Sequence, residues 1–163
     1  MSDGAHAFDF LIGSWTVRHR LWSDREGSWL HFESGLRAWT ILDGAGNMDV
    51  TRIAELPPYP FVGSSIRVHD PADDTWTIGW VDNLSRRFGT VVRGRLADGR
   101  GEFHGLREEG GKRVAVRYRW RVHSPNRAAW DQAWSRDGGA SWESRWVMRF
   151  RRKNAPPSAV SPG

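Results

Sequence analysis

His19, Tyr118 and Asp82 are the side chains whose type and setting could move a proton. Trp15, Val17, His19 and Leu21 share one parity, opposed by Ser14, Thr16, Arg18 and Arg20, so His19 is a lone imidazole on an apolar stripe. The commoner role of such a histidine is a satisfied core residue; the functional one is a general base or a ligand anchor. Tyr118 falls on a similar stripe, and Asp82 follows Trp76, Ile78 and Trp80 on the same parity, which puts it near the rim of whatever those residues enclose. Together they would serve a cofactor-independent cyclase, isomerase or lyase. Other chemistry is absent. The 163 residues contain no Cys, which excludes disulfides, thiolate metal sites and a Cys nucleophile. Histidines 6, 19, 31, 69, 104 and 123 show no ligand-type pairing, so no metal is expected. Neither common Gly-rich phosphate loop nor a Gly-x-Ser-x-Gly elbow is present, and no cofactor is expected.

The second chemical feature is aromatic. Eleven Trp stand among 20 aromatic residues, each a large apolar surface with one N–H that wants a partner. Lys+Arg exceeds Asp+Glu by 24 − 19 = 5, and arginine supplies nearly all of that excess. Tryptophan with arginine invites a nucleic-acid reading, stacking plus phosphate contact. Parity speaks against it. Val114, Val116, Tyr118, Trp120 and Val122 alternate with Arg113, Arg117, Arg119 and Arg121, so rings and charges take opposite faces. An exposed charged face of this kind is ordinarily a solvated one. Arg149, Arg151 and Arg152 extend it.

The elements that must position these residues are strands. Turn signals recur every 8–14 residues or so, among them Asp43-Gly44, Asp70-Pro71, Asp98-Gly99, Gly110-Gly111 and Gly138-Gly139. About ten strands follow, starting near residues 13, 29, 45, 62, 75, 87, 101, 112, 127 and 140. Only residues 5–12 have helical character, with Phe8, Leu11 and Ile12 on one side. Short connections throughout favour an up-and-down antiparallel meander closed into a barrel, which removes sheet edges. The barrel domain is expected over 1–152, with a disordered tail over 153–163 and a Pro-rich lid around Glu55–Phe61 centred on Pro57–Pro60.

If the last hairpins keep simple registers, Trp120, Trp130 and Trp146 share an inner rung, and Val116, Trp134 and Trp142 another. A polar rung of Tyr118, Gln132 and Ser144 falls between them. A one-residue slip would swap every face. The expected binding wall is therefore Trp15, Trp80, Trp120, Trp130, Gln132, Trp134, Ser144 and Trp146.

Two resemblances bear on this reading. Ser135-Arg136-Asp137-Gly138-Gly139-Ala140-Ser141-Trp142 resembles the Asp-box hairpin of sialidases, a turn device in which Asp137 accepts backbone N–H groups. Phe8-Asp9-Phe10-Leu11-Ile12-Gly13-Ser14-Trp15 is similar to the opening of a bacterial family of uncharacterised lipocalin-like (calycin-type) proteins. Ile41-Leu42-Asp43-Gly44-Ala45-Gly46-Asn47 and Trp130-Asp131-Gln132-Ala133-Trp134-Ser135 continue the likeness. It implies a β-barrel with a central cavity and no established activity. The related haem barrels carry glycines where Val17 and His19 stand, which disfavours haem.

The leading expectation is binding of a small, largely apolar molecule, aromatic or polyketide-like, in a Trp-lined cavity. Catalysis on such a molecule is the alternative; nucleic-acid or haem binding ranks third. No apolar run is long enough to span a membrane and the start lacks a signal-peptide pattern, so a soluble cytoplasmic monomer or homodimer is expected.

Overall fold

The computed structural model describes residues 4–56 and 60–153. Ten antiparallel strands, each paired with the next in sequence, close into one barrel when the first meets the last. They are β1 (Gly13–Ser23), β2 (Ser28–Ile41), β3 (Gly46–Ile53), β4 (Phe61–Asp70), β5 (Thr75–Asp82), β6 (Phe88–Ala97), β7 (Arg100–Glu109), β8 (Lys112–Ser124), β9 (Arg127–Ser135) and β10 (Glu143–Arg152). The expected strand starts agree to within about three residues, because turn chemistry and period-two patterning are both local signals. No helix among the described residues is long and apolar enough to cross a membrane. Pro57, Pro58 and Tyr59, the heart of the expected lid, and residues 154–163 of the expected tail lie outside the described residues.

The stretch before β1 forms two 3-10 turns, Gly4–His6 and Asp9–Leu11, where sequence suggested helix across 5–12. Its carbonyls have better partners than a continued helix would give them. Trp15 Nε1 donates to Leu11 O at 2.8 Å, and the Arg152 guanidinium donates to Ile12 O and Phe10 O. Phe8 and Leu11 are fully buried, while Ile12 is already extended. Phe8 enters the barrel end with its ring 5.1 Å from Trp76 and 5.8 Å from both Phe103 and Trp120. This plug seals one end.

The hairpin β8–β9 has the expected register, with Tyr118 opposite Gln132 and Trp120 opposite Trp130. The hairpin β9–β10 does not. A bulge between Ser144 and Trp146 pairs Trp146 with Gln132, and Met148 with Trp130. The extra residue is Arg145, buried and ion-paired with Asp24 from the β1–β2 turn. One inserted residue reverses parity upstream. Ser144 is therefore exposed on the outer face, not on an inner rung. Trp142 is outside as well, packed against His104 and beneath Arg117.

Strands β3 and β4 depart from the usual pattern in the opposite sense. Their inward residues are Asn47, Asp49 and Thr51 facing Ser65 and Arg67, while Met48, Val50, Ile66 and Val68 take the outer face. One side of the lumen is thus polar.

Candidate functional site

Above the plug lies a cavity of about 520 Å³. Its aromatic wall is built from the last three strands and β5. Tyr118 meets Trp130 edge-on at 4.9 Å, Trp130 meets Trp146 at 5.9 Å, and Trp146 meets Trp80 at 5.9 Å, with interplanar angles of 71°, 79° and 77°. Such edge-to-face chains match the negative ring face to the positive ring edge. The six-membered ring of Trp80 lies over Gly63, where a Cβ would stand 2.1 Å from Cη2, so only glycine admits the indole. Trp120, Phe150, Leu36 and Ile78 complete the apolar lining toward the plug.

The polar side carries a buried ion pair. Arg67 Nη2 donates to Asp49 Oδ2 at 2.5 Å and Nη1 to Asn47 Oδ1 at 3.0 Å. The guanidinium also lies 5.6 Å from the Phe8 ring centre and 5.7 Å from that of Trp120. Beside it runs a hydrogen-bond relay. Trp146 Nε1 donates to His19 Nδ1 at 3.1 Å, His19 Nε2 meets Ser34 Oγ at 2.7 Å, and Ser34 Oγ meets Thr51 Oγ1 at 2.9 Å. Thr51 then donates to the Gly35 carbonyl. The direction of the two end bonds requires the neutral Nε2–H tautomer of His19, and burial holds its pKa down to about 4.

The three proton-transfer candidates occupy different settings. Tyr118 lines the cavity; burial pushes its pKa up to about 12, against the pull of Gln132, Arg67 and Arg107. Gln132 Nε2 donates to its oxygen over a long 3.5 Å, leaving the phenol proton without an acceptor among the described residues. Asp82 is at the rim, as its parity suggested. Its carboxylate caps the following turn through the Leu84 and Ser85 N–H groups and accepts from Trp80 Nε1, which together hold its pKa below the usual range despite burial. His19 lies behind Trp146, stacked on Phe32 at 4.7 Å, and does not line the cavity. A shared acid–base centre is not assembled.

Of the expected wall residues, Trp80, Trp120, Trp130, Gln132 and Trp146 line the cavity. Trp15 is fully buried in the sealed end, between Phe150 and the guanidinium of Arg152. Trp134 is buried near the open end against three guanidiniums, Arg107 at 3.8 Å, Arg145 at 4.1 Å and Arg136 at 5.7 Å. Ser144 faces out. Sequence reasoning missed Asp49, Thr51, Ser65, Arg67 and Arg107. The usable signal for β3 and β4 was that Asn47, Asp49 and Thr51, and likewise Ser65 and Arg67, share one parity while Met48, Val50, Ile66 and Val68 share the other. Among the described residues, no histidine lines the cavity and no three His, Asp or Glu side chains gather as metal ligands would, so the lumen offers haem no axial imidazole.

No protein-family profile matches the sequence, and no curated protein does. Solved structures do resemble the barrel. Rv2717c from M. tuberculosis superposes with a TM-score of 0.63 at 12% identity, covering 94% of this chain and 99% of that one. A redesigned β-barrel gives 0.50 at 12% identity over 94% and 97% of the two chains. EF1p2_mFAP2b bound to DFHBI gives 0.49 at 14% identity over 92% and 99%. At these identities the likeness is one of barrel architecture and does not reach the ligand.

Proposed function

We propose that this barrel binds a small, largely apolar molecule, aromatic or polyketide-like, in its lumen, as a lipocalin-type carrier or receptor in the cytoplasm. The observation that supports this reading is the aromatic wall of Tyr118, Trp130, Trp146 and Trp80 around about 520 Å³ of space. Sites for small molecules are commonly 300–1,000 Å³, mostly apolar, with a few convergent polar groups. Here the sealed end supplies a rigid floor and the opposite end an opening beside Asp82 and Phe88. Binding is favoured over catalysis because Asp82 is engaged as a turn cap, His19 is withdrawn behind Trp146, and Tyr118 resists ionisation at neutral pH.

The test is titration with the uncharged probe N-phenylnaphthylamine. A saturable, one-to-one rise and blue shift of probe emission is expected. Trp130→Ala should weaken it roughly tenfold, from lost ring area and the lost edge contacts of Trp130. Absence of saturable binding by this probe and by a panel of polycyclic aromatics would sink the proposal.

A further inference from the structure

Two guanidiniums line the cavity, and they differ in one respect. Arg67 is ion-paired with Asp49 and donates to Asn47, with its buried Nε left unpartnered. Arg107 is not: it projects inward from β7, half-buried near the open end, and makes neither an ion pair nor a hydrogen bond with any described residue. What holds it is Trp134, whose ring centre is 3.8 Å from the guanidinium carbon. Arg145 stands 4.1 Å from the same ring, and Arg136, ion-paired with Glu109 and Glu143, lies 5.7 Å from it. Arg145 is neutralised by Asp24, so this clamp leaves one uncompensated charge, and that charge belongs to Arg107. An arginine stacked on an indole keeps its in-plane N–H groups available and loses little side-chain freedom when it accepts a partner.

The surroundings suit an anion. Tyr118 keeps its phenol proton without an acceptor, and the Gln132 amide beside it is only loosely engaged. The charges of both Arg67 and Arg107 reach the Tyr118 oxygen. Two carboxylates also line the opening and keep their charge, but neither forms an ion pair with Arg107: Asp82 is turned to Trp80 Nε1 and two backbone N–H groups, and Glu108 is exposed.

We propose that the cavity takes its aromatic ligand as an acid, with the anionic oxygens received by the Arg107 guanidinium and by Tyr118 and Gln132. This rests on the binding reading above and adds the charge that reading leaves open. Guanidinium–carboxylate pairs are directional and frequently bidentate, so one such anchor also sets the orientation of the ring system against the tryptophan wall.

Matched probes separate the two ideas. Pyrenebutyrate and its uncharged counterpart pyrenebutanol carry the same ring system and are read by energy transfer from the tryptophans. The acid is expected to bind roughly tenfold more tightly than the alcohol, a factor that one charge-assisted hydrogen bond supplies. Arg107→Gln should bring the acid down to the affinity of the alcohol and leave the alcohol unchanged. Arg107→Lys should keep part of the preference, and Arg113→Gln on the outer face should alter neither. Equal binding of acid and alcohol by the unaltered protein would overturn the anion proposal while leaving the cavity reading intact. So would equal weakening of both probes by Arg107→Gln, which would mark Arg107 as a support for Trp134. If neither probe binds, the cavity reading falls and the anchor with it.

Discussion

Arg67 and Asp49 are 3% and 2% exposed, which makes them the costliest charges in the barrel to leave alone. Removing one partner of a buried pair strands the other in a low-dielectric site and costs about 3–5 kcal/mol, whereas replacing both with apolar residues of similar volume is often near neutral. Asp49→Asn should therefore lower the free energy of urea unfolding by that amount, and Arg67→Met with Asp49→Leu should recover much of it. His19 gives a second residue-scale expectation. Its folded pKa, about 4, lies below its ordinary 6.5, so below pH 6.5 the unfolded chain takes up a proton that the folded chain refuses. Stability from this group is complete above pH 6.5 and is lost as the pH falls toward 4, by roughly 3 kcal/mol in all. His19→Gln should flatten that part of the stability profile measured by chemical denaturation. The relay through Ser34 and Thr51 also explains why a lone imidazole on an apolar stripe is tolerated: both ring nitrogens have partners.

Between strands, small backbone features decide which side chains reach the lumen. In the β9–β10 turn, Asp137 accepts the Ser141 N–H and both the Ser135 and Ser141 hydroxyls, which lower its pKa to about 2. Gly138 and Gly139 supply the positive φ angles of 70° and 94° that the turn requires. No residue of this Asp-box hairpin lines the cavity. Asp137→Ala should lower the unfolding midpoint and leave probe affinity unchanged, a pair of results that separates turn chemistry from binding. Gly63 behaves differently. Gly63→Ala would drive a methyl group into the Trp80 indole, so both probe affinity and tryptophan emission should change. Gly35→Ala, with nothing within 4 Å of the new methyl, serves as the control and should leave both as they are.

Across the molecule, closure and plugging act together. β1 pairs with β2 on one side and β10 on the other, so among the described residues no strand presents a free edge. The plug ties the end of β10 to the segment before β1: Arg152, the last residue of β10, donates to the carbonyls of Phe10 and Ile12 and covers Trp15 at 4.3 Å. Arg152 is thereby withdrawn from the basic outer face that sequence assigned to it. Phe8→Ala should cost about 3–5 kcal/mol, the usual range for emptying a buried aromatic site, with thermal unfolding as the measure. It should also loosen the cavity floor, because Phe8 separates the lumen from the barrel end.

The expected segregation of rings from arginines fails, since Arg67, Arg107, Arg145 and Arg152 lie against buried tryptophans and Arg117 covers Trp142 outside. The sequence by itself determined the ten-strand count, the strand starts and the inward parity of Trp80, Trp120, Trp130 and Trp146. All of these follow from period-two alternation and local turn chemistry, which act over a few residues. Only the tertiary structure decided that Ser144 and Trp142 turn outward, since the bulge at Arg145 answers to Asp24, 121 residues away in sequence. It also decided that Trp15 belongs to the sealed end and Trp134 to an arginine clamp, because the plug and β10 close over the first, and Arg107 of β7 reaches the second past the intervening strand. Arg67 and Asp49 could not be read as lumen residues from one strand at a time. A charge is tolerable inside only when its partner is already in place, and that partner is supplied by the neighbouring strand.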